Sequence, residues 1–129
     1  MSPFPGRGSG TPSTLVGRLL AVFRLVPGGG GHNCSMTRLT HDETELRLAD
    51  IPGWGITDGS LHRELEFANF VEAFGFMAMV ALEAEKLNHH PDWSNAWNRV
   101  VIDISSHAEG GITDQCVELA AAINRALGE

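Results

Sequence analysis

Tyrosine is absent from the 129 residues, so no tyrosyl acid or nucleophile exists. Only Cys34 and Cys116 carry thiols, which excludes a disulfide scaffold and a four-cysteine zinc module. Basic residues are few: nine Lys and Arg against sixteen Asp and Glu leave a net charge of −7. A chain so acidic lacks the basic face that phosphate contact needs, so no direct nucleic-acid binding is expected. The longest apolar run, Ala73 to Leu82, is well short of the roughly 20 residues that span a bilayer, so no membrane partner is expected. Neither G-x-x-x-x-G-K-[ST], G-x-G-x-x-G nor H-E-x-x-H occurs.

Composition divides what remains. Residues 1–35 hold Arg7, Arg18 and Arg24, no acid, four of six prolines and eight of fifteen glycines. Such a stretch buries too little apolar surface to order itself and is expected to be a disordered extension. Thr14 to Val26 is apolar with two spaced arginines, which fits a transit peptide for a mitochondrion or plastid. The competing reading is an upstream translated stretch with Met36 as the functional start, which places the protein in the cytoplasm. Residues 36–129 carry −10, from six basic and sixteen acidic residues, and length allows them one domain.

Within that domain Thr40 caps a short helix to Leu48, with Asp42 and Glu43 in its first turn. Asp58-Gly59 suits a two-residue type I′ turn between Trp54–Thr57 and the alternating Leu61–Phe67, a β-hairpin. Asn69 with Glu72 opens a helix from Phe70 to about Asn88, and Pro91 ends it. Its Ala73–Leu82 portion is apolar on more than one side, which asks for a second partner, most economically another subunit. Asn95 to Ser105 alternates as strand, with a break near Asn98 that can divide it in two. Thr113 caps a last helix. The expected fold is α+β: an antiparallel four-stranded sheet with three helices, the two longer ones packed on one face.

The chemistry concentrates in Glu85, His89, His90 and His107. Glu85 and His89 are four apart, so a continuing helix stacks them, and a carboxylate there raises the imidazole pKa. His90 points about 100° away unless the Pro91 bend redirects it. His107 follows a strand end. Three readings stand: general acid–base catalysis, a metal site, and a structural histidine at a helix C-terminus. Adjacent histidines suit neither the i,i+4 nor the i,i+2 spacing of zinc sites, so no metal is expected. Trp54, Trp93 and Trp97 could stack on a planar heterocycle or pack in the core. Cys116, near the start of the last helix, reads as a buried small apolar residue or as an activated thiol.

The run EAEKLNHHPDWSNAWNRVVIDISSH, Glu83 to His107, resembles the pterin-4a-carbinolamine dehydratases. The likeness extends over Gly53-Trp54, Phe67 to Val80, and Gly111-Ile112-Thr113 with Leu119-Ala120. It implies dehydration of 4a-hydroxytetrahydropterin to quinonoid dihydropterin, recycling tetrahydrobiopterin without metal or organic cofactor. His89, His90 and His107 match the family's catalytic histidines and Glu85 its supporting carboxylate. Trp54 and Ser106 are placed as further substrate-binding candidates by the hairpin start and by adjacency to His107. A homo-oligomer, tetramer or dimer, is implied. The family also includes non-catalytic modules: a dimerisation cofactor of a transcription factor, and assembly factors. One departure stands out: where the family usually has Asp, three residues after the loop Thr, this chain has Cys116. The nearest acid, Asp114, could substitute only through a loop shift.

Overall fold

A computed structural model describes residues 37–129. The expectations for residues 1–35, a disordered extension and a transit segment, lie outside the described residues. Helix α1, His41–Arg47, starts as its sequence demands: Glu43 N–H donates to Thr40 Oγ1 (3.1 Å) and Thr40 N–H to the Glu43 carboxylate (2.8 Å). A 3₁₀ turn, Leu48–Asp50, follows. Strands β1, Gly55–Thr57, and β2, Ser60–Glu66, form the hairpin. At its tip Asp58 and Gly59 take φ of 50° and 78°, as a type I′ turn requires.

Helix α2 is Phe70–Leu87, strand β3 Asp92–Ala96, strand β4 Arg99–Ile104 and helix α3 Asp114–Leu127. The break near Asn98 is a turn, with Trp97 at φ 51°, and β3 begins three residues before the expected Asn95. All neighbours are antiparallel, in the order β1-β2-β4-β3. Helix α2 connects β2 to β3, and the β3–β4 turn folds β4 back between them, so β2 and β4 are the central strands while both long helices lie over one face.

Strand alternation makes that face. Leu61, Val100, Ile102 and Ile104 are wholly buried, while Glu64, Glu66 and Arg99 stay exposed. Above them α2 places Ala73, Phe76, Val80 and Ala84, and α3 places Cys116, Leu119, Ala120 and Ile123. The Phe67 and Phe76 rings meet at 5.0 Å. The outer face of α2 stays open: Val71 is 78% exposed, Phe74 59% and Leu82 44%. The core therefore uses one side of this two-sided apolar helix.

A polar network sits at the far end of the core. Asn124 Oδ1 accepts from Trp54 Nε1–H (2.8 Å) and from Arg63, and Asn124 Nδ2–H donates to the Pro52 carbonyl (3.0 Å). Arg63 also reaches Glu129 at 2.9 Å. Gly53 has φ 88°, and a Cβ there would lie 2.7 Å from the Arg63 guanidinium carbon, so both conformation and space ask for glycine.

Candidate active site

The site begins where α2 stops. Asn88 takes a left-handed conformation (φ 48°, ψ 41°), which asparagine tolerates better than most residues. Asn88 N–H donates to Glu85 O (3.2 Å) and His89 N–H to Ala84 O (3.0 Å), the paired bonds of a Schellman motif. The reversal sends consecutive histidines opposite ways. His89 turns inward, 9% exposed, with Nε2 at 3.2 Å from Cys116 Sγ. His90 turns outward, with Nε2 at 2.6 Å from Glu85 Oε1.

This corrects the expected pairing. Glu85 partners His90, because the helical stacking that would bring it to His89 ends at Leu87. The electrostatic consequence reverses as well. Burial first, then the neighbouring charges of His90 and His107, push the His89 imidazole below its ordinary value of 6.5.

His107 joins the same group from the loop that follows β4. Ser106 and Gly111 exchange backbone bonds, Ser106 N–H to Gly111 O at 2.7 Å and Gly111 N–H to Ser106 O at 3.2 Å. Ser106 Oγ accepts from Glu109 N–H at 3.3 Å, so this serine shapes the loop that carries His107. His107 Nε2 lies 3.2 Å from Asp92 Oδ2, and Asp92 directly follows the His89-His90-Pro91 turn. Asp92 is thus the tie between the two histidine segments. Sequence reasoning gave it no role, although its acidic side chain next to Pro91 was the available signal.

Two further residues fix the arrangement. Gln115 Nε2–H donates to the Leu87 carbonyl at 2.6 Å, locking the start of α3 to the end of α2. Thr113 N–H donates to Cys116 Sγ at 3.4 Å, so the thiol takes the place a Glu holds in a capping box. Cys116 is wholly buried, which pushes its thiol pKa up and excludes the activated-thiol reading. Asp114 does not replace it as a partner of His89: its carboxylate pairs with Arg47 of α1 at 2.7 Å. That pair lines a cavity of about 370 Å³ with Arg38, Leu39 and Glu43, which contains none of the candidate histidines.

Trp54 stands apart from the histidines. It is 7% exposed and bonded to Asn124, eight residues along α3 from Cys116 and so about 12 Å of helix rise away. Its burial and its indole N–H bond fit it to the core network, whereas its place at the hairpin start had made it a substrate-binding candidate. Trp93 is half-buried against the core and Trp97 sits in the β3–β4 turn, 66% exposed.

The arrangement offers one kind of chemistry. A carboxylate only accepts, so the carboxylate contacts place N–H on Nε2 of His90 and of His107. Nδ1 of each of the three rings has no hydrogen-bond partner among the described residues. Three imidazoles with Nε2 held and Nδ1 open can each take and give a proton. Among the described residues no three His, Cys, Asp or Glu side chains converge as a metal-ligand set, and no helix is long and apolar enough to cross a membrane.

Comparison with known proteins identifies the family. Residues 37–126 match the family model described as pterin 4 alpha carbinolamine dehydratase. A Solibacter usitatus protein named as a candidate pterin-4-alpha-carbinolamine dehydratase is 46% identical over 88 residues, 68% of this chain and 93% of its own. A Rhodospirillum rubrum protein of the same name is 50% identical over 93 residues, 70% of this chain and 97% of its own. The crystal structure of a transcriptional coactivator/pterin dehydratase from Brucella melitensis superposes with a TM-score of 0.68 at 41% identity, covering 70% of this chain and 98% of that one. With its sheet order, its histidine turn and these matches together, the chain belongs to the pterin-4-alpha-carbinolamine dehydratase family, whose name is that of a hydro-lyase.

Proposed function

We propose that this chain dehydrates 4a-hydroxytetrahydropterin to quinonoid dihydropterin and water by histidine acid–base catalysis, in the recycling of tetrahydrobiopterin. The observation that carries the reading is a buried imidazole held below its ordinary pKa, His89, beside two imidazoles bonded to carboxylates. The C4a–O bond breaks as the hydroxyl takes a proton and leaves as water. The proton on N5 goes to a base, and its bonding pair forms the C4a=N5 double bond. His89, neutral at pH 7, suits the base. His90 or His107 in its protonated form suits the acid. Glu85 and Asp92 orient those rings, and Ser106 holds the loop that presents His107. The reaction requires no metal or organic cofactor.

The open face of α2 supports a homo-oligomer, tetramer or dimer, with a second copy of the chain covering Val71, Phe74 and Leu82. The same face favours a second reading, a binding module of this fold, to which the Brucella relative's double description also leads. An assay of the full chain with synthetic 4a-hydroxytetrahydropterin separates the two. Turnover above the uncatalysed rate that falls roughly 10²-fold or more in His89→Ala supports the enzyme. No such turnover, together with stoichiometric retention of a partner protein on α2, supports the module.

A further inference from the structure

Among the described residues the His89 ring has one polar contact, with the Sγ of Cys116 at 3.2 Å. That sulfur is itself held by α3: Thr113 N–H donates to it at 3.4 Å and Thr113 Oγ1 lies 3.5 Å away. Cys116 is completely buried and Thr113 is 1% exposed, so neither group can be replaced by solvent. The other ring nitrogen, Nδ1, is bonded to no described residue. We infer that Cys116 is a positioning residue for His89: its sulfur accepts from Nε2–H, which fixes that tautomer of the ring and leaves the lone pair of Nδ1 to meet the substrate.

The chemistry of a thiol makes this more than packing. A neutral imidazole carries one N–H and one lone pair, and which nitrogen has which is set by the partner of the other. A buried thiol stays protonated at neutral pH, so it engages Nε2 without adding a charge. A carboxylate at the same place would favour the imidazolium. The groups around His89 are then Cys116 from α3, His90 with Glu85 from the end of α2, and His107 with Asp92 from the sheet edge. The two carboxylates are engaged by the outer rings, and among the described residues none bonds to His89. Burial therefore dominates, and His89 stays an uncharged base to lower pH than an ordinary histidine.

The inference rests on the dehydratase reading for its functional meaning, yet its first test needs no turnover. Nitrogen-15 NMR of the histidine rings in the full chain, with His89 assigned through His89→Gln, reads tautomer and titration directly. The wild type is expected to show a single His89 tautomer and a depressed titration. Cys116→Ser should keep the single tautomer. Cys116→Ala should show both tautomers, with kcat falling and KM nearly unchanged. Cys116→Asp should raise the His89 titration by about one unit or more and move the acidic limb of the pH–rate profile upward with it. If Cys116→Ala does not fold, Cys116→Ser against Cys116→Asp carries the same test. Identical tautomer populations and titrations in wild type and the variants that fold would overturn the inference. A tautomer that responds to Cys116 in a chain without turnover would instead uphold the positioning and remove the dehydratase reading.

Discussion

The two ends of α3 each carry polar side chains into the core, and they are built on opposite plans. At its C-terminal end Asn124 spends its side-chain oxygen on Trp54 and Arg63 and its nitrogen on the Pro52 carbonyl. At its N-terminal end the His89 ring has one sulfur contact on Nε2 and leaves Nδ1 open. The first network is saturated and ties β1 and β2 to α3. The second is unsaturated on one side, where burial lowers the proton affinity of the ring. Saturated polar clusters specify a structure; an unsaturated one keeps a group available for another molecule.

The largest effect expected from breaking this contrast lies at the open end. His89→Ala or His107→Ala should lower turnover by roughly 10²-fold or more, with circular dichroism unchanged. The double variant should lose more than either single one, because the rings act from different segments. At the saturated end the loss should fall on stability. Asn124→Ala strands the Trp54 N–H and leaves Arg63 only its bonds to the Pro52 carbonyl and Glu129, at a cost of about 1–3 kcal/mol. Chemical denaturation should read it, with turnover per folded molecule within about twofold of wild type.

A smaller effect separates His89 from His62. His62 Nδ1 lies 2.7 Å from Asp103 Oδ1, and that hydrogen bond raises its pKa. Its contribution to stability is present below pH 6.5, the unfolded value, and is lost as pH rises through the folded pKa. For His89 the sign is opposite. The unfolded chain binds the proton more readily, so stability falls as pH drops from 6.5 toward the lowered folded pKa. Denaturation midpoints across that range should fall less on acidification in His89→Ala than in wild type. His62→Ala should show a smaller loss on raising pH above 6.5.

The smallest effect on the pocket is expected from the outer face of α2. Phe74→Glu should weaken self-association about 10- to 100-fold, the equivalent of one buried large apolar side chain. Sedimentation of the folded variant checks it; an unchanged distribution would remove the oligomer interface from this face.

The extent to which the sequence specified these regions follows the range of the interactions. Thr40 with Glu43, Asp58-Gly59 and Asn69 each announce local structure, and each element starts or turns there. Strand β3 was harder to delimit, since Asp92-Trp93-Ser94 is mostly polar and its alternation is short. The grouping of His89, His90 and His107 was legible from the resemblance. The pairing within the group was not. It turns on one left-handed residue, Asn88, and on contacts spanning 27 residues to Cys116 and 28 from Gln115 to Leu87. The bond of Trp54 to Asn124 is hidden in the sequence for the same reason, since the two lie 70 residues apart.

The helix stop at Asn88 also has a dynamic meaning. The backbone N–H of His89 closes the last turn of α2 on Ala84 while its ring rests on Cys116. Fraying of that turn therefore displaces the backbone that carries the imidazole and with it the ring's seat on Cys116. Amide hydrogen exchange at His89 reports that opening, so the protection of one backbone proton measures the stability of the turn that carries the ring.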